Sequence, residues 1–214
     1  MITIGITGHR PHRLTVSEPR LTRRVRTVLT ALIKATGTAK TSRSPVLDII
    51  SPLAEGTDRI VAREVRALGQ RLTALLPFAR RDYETTFVDA TTTAEFRTLW
   101  KAADERVVLK GSLKRAEAGY VAVGMVTLAR SDLIITIWDG EPAQGRGGTP
   151  EILQNAIEWG IPIIWINARE DCKPVLLIAD QGKRAPSLMQ GAARPQALTA
   201  ALYRQLVRSA GAPH

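Results

Sequence analysis

The chain has 214 residues, 44% of them hydrophobic, a formal net charge of +10 and one cysteine. That length and apolar content suit a single α/β domain with a sizeable core. Cys172 alone excludes an internal disulfide and implies a reducing, cytoplasmic setting, and no apolar run approaches the ~20 residues of a membrane span.

The segment Met1-Ile-Thr-Ile-Gly-Ile-Thr7 is too short and too uncharged for a secretion signal, and Ile2–Thr7 reads as a first strand. Glu18–Ala35 follows as an amphipathic helix, with Leu21, Val25, Val28, Leu29 and Leu32 on one face. Gly37–Ser44 is a polar loop. Val46–Ser51 is a second strand, and Asp58–Leu68 a helix closed by Gly69. Leu72–Pro77 is a third strand. Asp82–Asp89 and Thr93–Ala103 read as helices, with Phe87, Phe96 and Trp100 as packing residues. Arg106–Leu109 is a short fourth strand. Gly119–Arg130 is so apolar that a fully buried helix is expected. Leu133–Trp138 and Ile161–Ile166 are further strands, separated by a helix opening near Pro150. Residues 167–195 read as irregular, with Val175–Ile178 as an edge strand, and Gln196–Ser209 as a final helix. Strands apolar on both faces, alternating with helices, predict a doubly wound, mainly parallel sheet with helices on both faces. Residues 168–214 are expected to pack on the domain formed by residues 1–167.

The charge is uneven. Residues 1–43 carry nine Lys/Arg against Glu18 alone, residues 44–166 fourteen against sixteen acids, and residues 167–214 seven against three. A basic stretch of this kind either holds nucleic acid, steers an anionic ligand or is a solvated helix face. Aromatic content of 5% supplies few platforms for stacking single-stranded bases.

Three loops that leave strand ends carry the chemistry, and in such sheets ligands bind at that edge. Asp139-Gly-Glu-Pro-Ala-Gln-Gly-Arg-Gly-Gly-Thr-Pro-Glu151 joins a strand to a helix start. Gly145, Gly147 and Gly148 admit close approach of backbone to ligand. Thr149 reads as the helix cap and Pro150 as its first residue. Such a helix start favours a phosphate or carboxylate. Gly8, His9 and Arg10 follow the first strand, and Arg10 suits a phosphate fork. Glu55, Gly56, Thr57 and Asp58 follow the second. There Glu55 can accept from ribose hydroxyls, while Thr57 or Asp58 caps the helix. Asp139 satisfies loop amides or binds a ribose or a metal, and Glu151 complements the helix dipole or faces a ribose. No metal-ligand spacing, phosphate-loop lysine motif or G-x-G-x-x-G fingerprint occurs.

Together, Ile4-Gly-Ile-Thr-Gly-His-Arg10, Ser51-Pro-Leu-Ala-Glu-Gly-Thr-Asp58 and Gly145-Arg-Gly-Gly-Thr-Pro-Glu151 resemble the SLOG superfamily. Its Rossmann-like fold is shared by LOG phosphoribohydrolases, DNA-processing DprA proteins and nucleotide-sensor domains. The resemblance spans residues 1–167. It implies a bound nucleotide derivative of ADP-ribose or cyclic-nucleotide type, no other cofactor and a homo-oligomer. A LOG-type N-glycosidase would use Glu151 as its catalytic carboxylate. The LOG loop, P-G-G-x-G-T-x-x-E, has one residue more between its threonine and glutamate than this chain has. A DprA-like nucleic-acid binder would use the basic N-terminal region. The resemblance to the sensor-like members implies a nucleotide-binding module with its phosphate at Gly147, Gly148 and Thr149.

Overall fold

The computed structural model describes residues 1–37, 44–142, 148–179 and 193–210. The expected loop at 37–44 and the glycines Gly145 and Gly147 lie largely or wholly outside those residues. The strands are β1 Ile2–Gly8, β2 Leu47–Ser51, β3 Arg71–Phe78, β4 Glu105–Gly111, β5 Leu133–Trp138, β6 Ile163–Asn167, β7 Val175–Ala179 and β8 Ala193–Ala197. The helices are α1 Glu18–Ala35, α2 Thr57–Ala67, α3 Arg80–Glu84, α4 Ala90–Ala102, α5 Ala116–Ala129, α6 Thr149–Glu158 and α7 Ala200–Ala210.

One sheet runs in the order β4-β3-β2-β1-β5-β6-β7-β8. β1 to β6 are parallel, and β7 and β8 return antiparallel. The alternation of side chains fixes two cores. Ile4, Ile49, Leu76, Ile135 and Ile164 face α1, α2, α4 and α7. Ile134, Trp138 and Ile163 face α5 and α6. The strands are therefore apolar on both sides because both sides are roofed. In α1 the predicted apolar stripe is buried in full, which explains why its ends match the expectation.

Several local expectations give way to specific side chains. α3 ends at Glu84 because the hydroxyls of Thr85 and Thr86 donate back to the carbonyls of Asp82 and Tyr83 at 2.7 and 2.8 Å. Asp89 then caps α4, accepting from the Thr92 amide at 2.8 Å, so α4 starts three residues before the expected Thr93. The stretch before α7 is not helical: Pro195 sits in β8, at the sheet edge where its missing N–H is tolerated. β7 is consequently one strand in from the edge. α6 begins one residue early, with Gly148 as its cap and Thr149 as its first residue. Gly148 has φ −74°, so no left-handed conformation requires glycine there.

α5 corrects the expectation of a buried apolar helix. Only Gly119, Val123, Thr127 and Leu128 are buried, while Ala118, Ala122 and Ala129 are exposed. On its side of the sheet the helix packs beside α6, and among the described residues its outer face has exposed positions at Ala118, Ala122 and Ala129.

Candidate nucleotide site at the switch point of the sheet

β1 and β5 are neighbours, yet the chain runs from β1 outward to β4 before returning. The crevice above their carboxyl ends is the topological switch point, where doubly wound sheets bind ligands. Two glycines let the surrounding loops close on each other. A Cβ on Gly8 would meet the Thr57 side chain at 2.5 Å and the Ile137 carbonyl at 2.7 Å. Gly56 has φ +89°, and a Cβ there would lie 2.6 Å from the His9 carbonyl. That carbonyl accepts from the Thr57 amide at 3.1 Å and from the Thr57 hydroxyl at 3.0 Å. The start of α2 is thus pinned to the loop after β1.

The same loop is tied to β5. Asp139 accepts from His9 Nε2 at 2.7 Å, from Arg13 Nε at 2.9 Å and from the Glu141 amide at 3.0 Å. Burial works to raise the Asp139 pKa, but these bonds outweigh it and hold the carboxyl below the usual range. Burial lowers the His9 pKa more than the Asp139 hydrogen bond and charge raise it. The pair is therefore an ionised carboxylate and a neutral imidazole whose Nε2–H donates. On the other side, Glu55 accepts from Arg10 Nη1 at 3.1 Å and from the Val88 amide at 3.0 Å.

Between these ties lies a cavity of about 310 Å³. Gly8, His9, Arg10 and Arg13 border it from β1, and Gly148, Thr149 and Pro150 from the start of α6. Tyr83, Tyr120, Val123 and Ile152 give it an apolar wall. The cap residue Gly148 has no side chain to offer, and the first turn of α6 borders the cavity with the positive end of its dipole. Among the described lining residues Asp58 is the only carboxylate. It is 5% exposed, and one oxygen, Oδ2, accepts from the Ala54 amide at 3.0 Å. Burial raises its pKa to about 7, against the lowering effects of that hydrogen bond and of Arg10 and Arg59. Leu53, just before Ala54, has φ +57° and is held by Ser51 Oγ on its amide and Arg59 Nε on its carbonyl. A strained residue kept by such bonds beside a cavity is what ligand clamps show.

The structure thus brings Gly8, His9, Arg10, Gly148 and Thr149 to one cavity. Glu55 and Gly56 line a separate cleft of about 290 Å³ beside Ser17 and Glu95. Thr57 is buried on the His9 carbonyl, and Asp139 is engaged by His9 and Arg13, so both serve the scaffold of the site. Glu151 does not line the cavity. Sequence reasoning read Asp58 only as a cap and passed over Arg13, Tyr83 and Tyr120. Arg13, three residues after Arg10, was within reach of a sequence argument. The tyrosines come from α3 and α5 and carry no local signal.

The basic N-terminal region is largely neutralised. Arg10, Arg13, Arg20, Arg24 and Arg26 face Glu55, Asp139, Asp171, Asp171 and Glu64 respectively. Among the described residues no cluster of His, Cys, Asp and Glu could hold a metal ion, and no helix is long and apolar enough to cross a membrane.

No protein-family model matches the chain, and no curated protein matches it. Among solved structures, it is similar to DNA processing protein A (DprA) from Streptococcus pneumoniae, with TM-score 0.52 and 16% identity. That match covers 77% of this chain and 50% of DprA, so the chain spans about half the length of that neighbour. The protein TM1055 also matches, with TM-score 0.45 and 15% identity over 77% of this chain and 73% of its own. The switch-point topology and the DprA likeness agree on the fold: the chain has a Rossmann-like, mainly parallel α/β fold similar to that of DprA.

Proposed function

We propose that this protein is a binding module for a nucleotide-derived ligand, of ADP-ribose or cyclic-nucleotide type. The observation that carries the reading is the cavity of about 310 Å³ at the β1/β5 switch point, with a glycine-capped helix start on one side and tyrosines on the other. Arg10, Arg13 and the Thr149 amide at the positive end of α6 suit a phosphate. The wall of Tyr83, Tyr120 and Val123 suits a base. The volume is that of a small-ligand site. Binding rather than N-glycosidic hydrolysis is the preferred reading, because Glu151 stands off the cavity.

Calorimetry against mononucleotides, ADP-ribose and cyclic nucleotides tests the proposal. Micromolar binding that weakens in R10A, with no consumption of the ligand, is the expected result. Absence of binding across the panel, or steady release of free base, refutes it.

A further inference from the structure

The cavity has two chemically different ends. Thr149 follows β5 and Asp58 follows β2, on opposite sides of β1. Two strand spacings separate β2 from β5, about 10 Å. That is a span a mononucleotide can bridge, with phosphate at one end and base at the other. At the second end Asp58 lies near Tyr83, and Tyr120 lines the same cavity. Oδ2 already takes the Ala54 amide, which marks it as the oxygen that stays an acceptor. A carboxylic acid in that pose offers a hydroxyl at Oδ1 beside a carbonyl at Oδ2 with one lone pair left.

Resting on the nucleotide reading above, we propose that Asp58 acts as an uncharged acid that selects the amino–imine edge of a base. The hydroxyl donates to the ring nitrogen and Oδ2 accepts from the neighbouring amino group. Adenine and cytosine present that edge; held in the same register, hypoxanthine and uracil set a ring N–H against the hydroxyl and a carbonyl against Oδ2, and both contacts are repulsive. The charged or titratable groups that act on Asp58 are Arg10 from the loop after β1, Arg59 on α2 and Tyr83 on α3, and His9, His12, Arg13 and Tyr120 line the same cavity. Arg10 and Arg59 favour the ionised form, but burial prevails, and a phosphate bound in the same cavity adds a further push toward the acid.

Binding then requires the protonated form, so affinity falls as pH rises above about 7. Titration from pH 7 to 9 stays above the second ionisation of a phosphate monoester near 6. The experiment compares AMP with IMP and CMP with UMP, in the wild type, D58N and D58A. Asparagine keeps a donor beside an acceptor without titrating.

In the wild type, the amino member of at least one pair binds about tenfold or more tightly than its oxo partner, and its affinity drops over pH 7 to 9. D58N retains the preference with a flat pH profile, and D58A loses it. Equal binding of both members, loss of the preference in D58N, or affinity that rises with pH overturns the assignment of Asp58. Failure of all four nucleotides to bind the wild type overturns the nucleotide reading itself.

Discussion

Gly56→Ala tests how the site is held together. The native φ of +89° and ψ of −122° place Gly56 where an L-residue is strained, at a cost of about 1–3 kcal/mol. The new Cβ would also lie 2.6 Å from the His9 carbonyl, a backbone atom that cannot swing aside like the tip of a side chain. Moving it weakens two hydrogen bonds from Thr57, each worth about 0.5–1.5 kcal/mol. The two effects together come to about 3–4 kcal/mol, a large share of an ordinary domain's stability. Gly69 supplies the control. It has φ +64°, but a Cβ there would meet no atom within 4 Å, so Gly69→Ala should cost only about 1 kcal/mol. Urea denaturation of both variants gives the comparison directly. If Gly56→Ala costs no more than Gly69→Ala, contact with the His9 carbonyl is not what makes glycine necessary there, and the coupling of α2 to the β1 loop is wrong.

Other expectations follow from the same geometry. Arg10→Ala should weaken phosphate-bearing ligands by about 1.5 kcal/mol, the low end for a charge-assisted bond because Arg10 is partly exposed and already shared with Glu55; calorimetry showing no loss removes Arg10 from the site. Asp58 binds its proton more tightly in the folded chain than in the unfolded one, so stability should fall as pH rises from about 4 to about 7 and then level off. Asp58→Asn should therefore match the wild type near pH 4 and exceed it by roughly 1–4 kcal/mol at pH 8, and equal melting curves at pH 8 would contradict a buried, raised carboxyl. The open face of α5 is expected to pair with the same face of a second copy: light scattering at tens of micromolar should report a dimer that Ala122→Glu converts to a monomer, and a wild-type monomer would refute the pairing.

The strands and α1 were legible because their apolar residues follow the periods of two and 3.6 that burial imposes. The loops after β1 and β5 were legible because glycine, arginine and a helix start announce themselves locally. The ends of α3 and α4 were not, since they turn on hydroxyls of Thr85, Thr86 and Thr92 competing for backbone groups. β8 escaped notice because Pro195 reads as a strand breaker unless the edge is known. Tyr83, Tyr120 and Asp58 come together through sheet order, which no local pattern contains. Asp58 shows the limit most clearly: an acid in the first helical turn reads as a cap, and only burial reveals a different role.

His9 and Asp139 are 130 residues apart, and that separation has a consequence for synthesis in the cell. β1 stands at the centre of the parallel sheet, and its second neighbour, β5, is translated much later than β1. At 5–20 residues per second the interval is roughly 7–26 s. Until β5 arrives, one edge of β1 is unpaired, His9 and Arg13 lack their carboxylate, and the cavity lacks its α6 end. The nascent chain therefore has to be kept from pairing that edge with another strand. Ligand capture, for its part, cannot begin before α6 is made, so nucleotide bound to this fold would report only chains translated past α6.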